Sequence, residues 1–194
     1  MSGHSRWAQI KHKKASSDAK KGKIFSRLSK MLTLAAKNPP AGGGPDPKTN
    51  SKLAAAIDEA RKENLPKENI ERAIKRASDK EAPDLKEVIY EAFGPGGSAL
   101  IITAVTDNSN RTTNEIKHIL SEHGGKLGVE GSAMWAFDPA ESPSDIQAGK
   151  LRFTPKFPQV LSEGDLKKFE NLLEALSDQD EVENVYANIE ISKK

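Results

Sequence analysis

Apolar residues in the first part of the chain recur with the period of an α-helix. Over residues 18–37 they follow the i, i+4, i+7, i+8, i+11 spacing of one helix face: Ile24, Leu28, Met31, Leu32 and Ala35. Most basic side chains of this stretch fall on the opposite side. The pattern predicts an amphipathic helix that ends before Pro39, because the residue before a proline is pushed out of the α region.

Two shorter helices are predicted after a turn-rich loop at residues 38–50. Ser51 is suited to cap the second helix, and Pro66 suits the first position of the third, where a missing N–H is tolerated. Their apolar positions are Leu53, Ala56, Ile57 and Ala60, then Ile70, Ala73, Ile74 and Ala77. These narrow, alanine-rich faces predict a three-helix domain with a thin core over residues 1–80.

The periodicity changes after residues 81–85, which we interpret as a linker. Alternating apolar residues over 88–92, a glycine-rich turn at 94–97 and a continuous apolar run over 99–105 predict a hairpin with one fully buried strand.

The remaining elements of the second half alternate between strands and helices. Helices are predicted over 112–123, which Gly124-Gly125 ends, and over 165–176; strands are predicted over 131–137, 152–160 and 182–191. The order is β, α, β, β, α, β with one extra strand in front. This order predicts an α+β fold in which residues 81–194 form a ferredoxin-like, split βαβ antiparallel-sheet domain.

Charge divides the chain at the same place. Residues 1–80 contain 19 Lys and Arg against 8 Asp and Glu, whereas residues 81–194 contain 11 against 20. The formal net charge of +2 therefore conceals a basic half and an acidic half. A split this sharp indicates two modules with different partners.

The basic residues are densest at residues 1–37, which contain ten of them and one acid. Such a tract is either a solvated surface or a binding surface for a polyanion, and its self-repulsion favours the polyanion. The predicted nucleic-acid-binding residues are Arg6, Trp7, Lys11, Lys13, Lys14, Lys20, Lys21, Lys23, Arg27 and Lys30. Lysine contacts backbone phosphate as a point charge, so recognition of backbone or shape is expected. Trp7 is equally suited to stacking on a base and to anchoring the helical core.

No pattern of residues indicates catalysis, a cofactor or a metal. The Gly94–Gly97 segment lacks the Lys-Ser/Thr of a phosphate loop and precedes a strand. His118 and His123 are five residues apart, not the four of a helical zinc pair, and the chain has no cysteine. We therefore predict that the protein is not an enzyme.

Several long segments resemble YebC-type proteins. They are GHSRWAQIKHKKASSDAKKGKIF (3–25), LAAAIDEARKENLPKENIERAIKRA (53–77), YEAFGPGGSALIITAVTDNSNRTTNEIKHILSEHGGKLG (90–128), GSAMWAF (131–137) and LEALSDQDEVENVYANI (173–189). The resemblance implies a helical domain followed by α+β domains. It also implies one of two roles: a DNA-binding transcriptional regulator, or a ribosome-associated translation factor such as the mitochondrial translational activators of cytochrome oxidase.

The chain departs from this family at one place. The family has a further α+β domain between the GSAMWAF strand and the strand resembling LRFTPKFPQVL (151–161). Here only DPAESPSDIQAGK (138–150) connects them, so we expect the inserted domain, near 139–150, to be missing.

Taken together, these patterns predict a non-enzymatic, nucleic-acid-binding regulator of gene expression whose target is DNA or ribosomal RNA. The alternative is a ligand-sensing or protein-interaction module, a use to which small βαββαβ domains are also put. No apolar run approaches the ~20 residues of a membrane helix. A cytoplasmic location is expected, and the reading of the basic N-terminus as a mitochondrial presequence is less favoured.

Overall fold

The computed structural model describes residues 18–40, 44–139 and 152–190. Three helices lie in the described part of the first 80 residues: α1 (Asp18–Lys37), α2 (Ser51–Lys62) and α3 (Lys67–Arg76). The helix predicted over 18–37 is confirmed. The three helices enclose one aliphatic core, which contains Leu28, Leu32, Leu53, Ala56, Ala60, Leu65, Ile70 and Ala73.

The cap of α2 is Asn50, one residue before the predicted Ser51. The Asn50 side-chain oxygen accepts the Leu53 N–H at 3.0 Å, and its amide nitrogen donates to the carbonyls of Ala35 and Gly44 at 2.8 and 3.1 Å. Asn50 is fully buried, so one side chain both starts α2 and fixes the preceding loop to α1. A serine could not make all three bonds, because its hydroxyl has one hydrogen to donate and Asn50 donates to two carbonyls.

The second half is built on a four-stranded antiparallel sheet. Its strands are β1 (Lys86–Phe93), β2 (Ala99–Thr106), β3 (Lys126–Leu127) and β6 (Val182–Ala187), in the order β3-β1-β2-β6. Helix α4 (Ser109–Glu122) connects β2 to β3, and helix α5 (Glu163–Ser177) precedes β6. Because β1 lies between β2 and β3, the segment β2-α4-β3 is a split βαβ unit.

Strand β2 is buried on both faces, as its continuous apolar run predicts. One face packs on α4 and α5 through a core that includes Leu100, Ile102, Ile116, Phe169, Leu172 and Val185. The other face packs on a small second sheet formed by β4 (Phe137–Pro139) and β5 (Phe153–Pro155), through a core that includes Ala99, Ile101, Phe137, Phe153 and Tyr186. Helix α1 also contacts β2, which brings the helical domain against the sheet.

Three predicted strands differ from the structure. The strand predicted over 182–191 ends at Ala187, and residue 191 lies outside the described residues. Most of residues 131–137 form a turn and a short 3-10 helix at Met134–Ala136, because the buried Glu91 carboxylate accepts three backbone N–H bonds from Gly131, Ala133 and Met134. The strand predicted over 152–160 is only the three residues of β5. The edge of the main sheet is taken instead by β3, which is too short to show a periodic pattern.

Burial acts to raise the pKa of Glu91, but its three backbone hydrogen bonds outweigh it and hold the pKa below its ordinary value. Glu91 therefore remains ionised as it organises this turn. The fold as a whole mixes helices with antiparallel sheet, which confirms the α+β class. The division at residue 80 and the missing insert near 139–150 stay predictions.

Candidate nucleic-acid interface

The ten predicted nucleic-acid-binding residues differ in what the structure describes. Arg6, Trp7, Lys11, Lys13 and Lys14 lie outside the described residues. Lys20 belongs to the first turn of α1. The side chains of Lys21, Lys23, Arg27 and Lys30 are described, and of these only Lys21 is exposed and has no ion pair within the described part of the chain.

The other three cations form a stripe along α1 that faces the acidic domain. Lys23 Nζ donates to the Asp178 carbonyl at 2.7 Å and lies 3.9 Å from the Asp180 carboxylate. Lys30 Nζ lies 3.3 Å from Glu181 Oε1. Residues 23, 27 and 30 share one helix face, because side chains three and four positions apart are neighbours. The stripe meets the turn between α5 and β6, which the run Asp178-Gln179-Asp180-Glu181 makes acidic.

Glu181 is the centre of this junction. Its side chain is 4% exposed and binds Lys30, Arg111 and the Thr112 hydroxyl. Burial acts to raise its pKa, but the bonds from Thr112 and Arg111 and the charge of Lys30 outweigh it and lower the pKa below its ordinary value. Glu181 therefore stays ionised and holds α1 and α4 together through opposite charges.

Arg27 is almost completely buried at the same junction, with 6% of its surface exposed. Its Nη1 donates to the Val182 carbonyl at 3.5 Å, while Nε and Nη2 make no hydrogen bond within the described residues. Burial lowers its pKa, and the charges of Glu59 and Glu183 act in the opposite direction. In this arrangement Arg27 lies between the two domains and does not present its guanidinium to solvent.

The contribution of α3 to the positive surface was missed by sequence reasoning. Arg72 and Arg76 are exposed and have no hydrogen bond or ion pair within the described part of the chain. They lie one helical turn apart beside a cleft between α1 and α3 that Lys30 also lines. Because α3 carries both acidic and basic residues, its sequence does not show which of its cations lie together. Only the packing of α3 on α1 shows this. The i, i+4 spacing of the two arginines was the one available signal.

The described residues contain no group of three or more His, Asp or Glu side chains placed to hold a metal ion. His118 pairs with Glu122 on the surface of α4 at 3.5 Å, a helical i, i+4 contact. None of the helices in the described ranges combines the length and apolar character needed to span a bilayer.

The described residues combine a helical core in the basic first part of the chain with a mixed helix and antiparallel-sheet core in the acidic second part. Residues 5–80 match the family described as "TACO1/YebC protein N-terminal domain", and residues 85–142 match "TACO1/YebC second and third domain". The chain belongs to the TACO1/YebC family.

Two similar proteins are named as probable transcriptional regulatory proteins. The "Probable transcriptional regulatory protein Teth39_1009" of Thermoanaerobacter pseudethanolicus is 41% identical, with 98% of each chain covered. A "Probable transcriptional regulatory protein" of Dictyoglomus turgidum is 54% identical over 71% of this chain and 54% of its own. The crystal structure of the conserved hypothetical protein Aq1575 from Aquifex aeolicus matches with a TM-score of 0.82 and 33% identity, covering 97% of this chain and 98% of its own.

The alignment with the Thermoanaerobacter protein spans 244 positions, whereas this chain has 194 residues. At least 50 positions of that alignment, 244 less 194, therefore have no counterpart here.

Proposed function

We propose that this protein is a non-enzymatic regulator of gene expression that binds nucleic acid through its basic helical domain. The relatives named as probable transcriptional regulatory proteins support a regulatory role. The observation that carries the binding is the excess of positive charge at residues 1–80. Among the described residues, only Lys23, Lys30 and Lys37 of α1 form ion pairs with acids of the second half.

The predicted contacts are to phosphates rather than to base edges. The tract at residues 1–37 contains eight lysines and two arginines. Lysine offers a compact, hydrated charge, while arginine is the residue that reads guanine bidentately. Binding should therefore be strongly salt-dependent and weakly dependent on base sequence.

The test of binding is a salt titration with the full chain on labelled RNA and DNA. If six to ten phosphates are contacted, affinity falls about 10³–10⁵-fold between about 50 and 200 mM salt. Replacing Lys11, Lys13 and Lys14 with Glu should weaken binding by a similar factor on all sequences. The matched control replaces Lys117, Lys167 and Lys168 with Glu; these lysines are exposed on the acidic half and make no ion pair within the described residues.

A flat salt titration, or equal losses in the two triple variants, refutes the proposal. The kind of target is decided by crosslinking in cells followed by sequencing of the bound nucleic acid. Enrichment of ribosomal RNA identifies a translation factor, and enrichment of defined promoter DNA identifies a transcriptional regulator. Recovery of neither refutes a nucleic-acid role and leaves the interaction-module alternative.

A further inference from the structure

A cleft of about 490 Å³ opens where the helical domain meets the linker and the sheet domain. Two of its walls are the facing sides of α1 and α3. Each helix contributes polar side chains at i, i+3 and i+7: Ser26, Ser29 and Thr33 from α1, and Asn69, Arg72 and Arg76 from α3. This repeated spacing aligns both polar rows along the cleft.

The base of the cleft is held at a fixed width. The Thr33 hydroxyl, which is buried, lies 2.9 Å from the Ala73 carbonyl of α3 and 2.9 Å from the Ser29 carbonyl of its own helix. Leu28 and Ile70 belong to the core that joins the same two helices. A ligand would therefore meet walls whose backbone positions are set before it binds, which reduces the entropy lost on binding.

The cleft has an excess of positive charge. Arg72 and Arg76 have no ion pair within the described part of the chain, whereas Lys30 forms an ion pair with Glu181. Among the described residues that line the cleft, Asp107 is the one acid, and its carboxylate is bound by the Arg111 guanidinium at 2.6 Å. That hydrogen bond lowers the pKa of Asp107, so it stays ionised and paired with Arg111.

Two unpaired guanidinium groups one turn apart repel each other unless an anion lies between or beside them. Four residues of α-helix place them about 6 Å apart along the axis. Two guanidinium groups at this separation can each bind a different phosphate of one strand. Guanidinium groups bind phosphate through two parallel N–H bonds, and the exposed Ser26 hydroxyl on the facing wall can add a donor. The hydroxyls of Ser29 and Thr33 already donate to backbone carbonyls of α1 and α3.

We propose that this cleft binds phosphate groups, and that in the working protein they are successive backbone phosphates of a nucleic-acid strand held by Arg72 and Arg76. The inference deepens the proposed function, on which it rests. It extends the contact surface beyond residues 1–37 to the junction of the two domains. The strand would then touch both halves of the chain, and its path would be set by how they pack.

The test replaces Arg72 and Arg76 together with Gln in the full chain. The matched control replaces Lys75 and Lys80 with Gln, which removes two exposed charges on or just after the same helix but outside the cleft. Binding of a short fluorescein-labelled single-stranded RNA is measured by anisotropy across a salt series. Inorganic pyrophosphate and free AMP are added as competitors to distinguish a strand from a free phosphate compound.

Loss of two phosphate contacts should reduce the salt slope by about 1.4, since each contact contributes about 0.7 on a single strand. The corresponding loss of affinity at 50 mM salt is about 10–100-fold. The control pair should lose clearly less. Both variants should melt within about 2 °C of the parent, because the replaced side chains are exposed and unpaired.

Equal slopes and equal affinities in the two double variants overturn the cleft while leaving the proposed function standing. An unmodified protein that binds neither RNA nor DNA overturns the proposed function, and the cleft is then judged by pyrophosphate binding alone. If AMP binds in a way that depends on Arg72 and Arg76 while RNA affinity is unchanged by the double substitution, the cleft is a phosphate site. That result overturns its assignment to a nucleic-acid strand. Failure of every phosphate compound to bind overturns the site itself.

Discussion

Replacing Glu181 with Gln should destabilise the junction between the two halves of the protein. The carboxylate is almost fully buried and is bound by Lys30, Arg111 and the Thr112 hydroxyl. Glutamine preserves the shape and one acceptor, but it removes the charge and turns an amide N–H group toward one of these donors. The substitution therefore tests the electrostatic link between α1, α4 and the α5–β6 turn with little change in volume.

The size of the effect lies between those of surface and buried ion pairs. Exposed pairs contribute about 0–1 kcal/mol, and breaking a fully buried pair costs about 3–5 kcal/mol. The side chains of Lys30 and Arg111 are 26% and 46% exposed, so both regain some hydration, and Arg111 keeps Asp107 as a partner. We expect a loss of about 1.5–3 kcal/mol, or about 4–10 °C in Tm for a chain of this size.

The assay is thermal melting followed by circular dichroism, with Glu87→Gln as the control. Glu87 is exposed on β1 and makes no ion pair within the described residues, so its variant should stay within about 0.5 kcal/mol of the parent. The effect of Glu181 should also depend on pH. Its folded pKa lies below the ordinary 4.5, so its contribution is present above that pH and is lost as the pH falls through the lowered pKa.

Two results would refute this reasoning. One is a Glu181→Gln protein that melts like Glu87→Gln near neutral pH, which would mean that the network contributes nothing net. The other is a difference from the parent that persists unchanged after the pH has fallen below the lowered pKa of Glu181, where the carboxylate is protonated in both folded and unfolded chains. The second result would assign the loss to shape rather than charge.

Three further substitutions test the fold. Asn50→Ala should cost about 2–3 kcal/mol in chemical denaturation, because it removes the α2 cap and leaves the Ala35 and Gly44 carbonyls without their amide donor. Ser51→Ala should cost under about 0.5 kcal/mol, and equal losses would contradict the assignment of the cap. Glu91→Gln should cost about 2–3 kcal/mol in the same assay. The difference from the parent should shrink as the pH falls below the ordinary pKa of 4.5, because hydrogen bonding holds the folded pKa of Glu91 lower. A loss that does not depend on pH would contradict an origin in the ionised carboxylate. Gly125→Ala should lower the free energy of unfolding by about 1–3 kcal/mol, because its Cβ would lie 2.7 Å from the Phe93 carbonyl oxygen; a neutral result would show that the backbone relaxes there.

Local pattern alone determined most of the helices in this protein. The period of apolar residues placed α1 at its observed bounds, and it placed α4 and α5 with ends that differ by one to three residues. The buried strand β2 was recognisable because eight successive buried positions leave a continuous apolar run. Gly124 ends α4 as predicted, with a positive φ of 74° and a bond from the Gly125 N–H to the Leu120 carbonyl.

Short strands and turns depended on distant partners. A strand is predicted over residues 131–137, yet the backbone N–H groups of Gly131 and Ala133 donate to the carboxylate of Glu91, about forty positions earlier, and form a turn. Asn50 caps α2 because the carbonyls of Ala35 and Gly44 also need its amide. Such choices are set by long-range hydrogen bonds, and no local period encodes them.

The candidate binding surface shows the same division. The sequence alone determined that positive charge is concentrated at residues 1–80 and that residues 178–181 are acidic. Only the tertiary structure decided that the Lys23, Arg27 and Lys30 side chains face that acidic turn. It also decided that Arg72 and Arg76 lie beside a cleft with no ion pair to any described residue. The physical reason is that charge is additive along a chain, whereas its availability to a partner depends on which opposite charges the fold brings within a few ångströms.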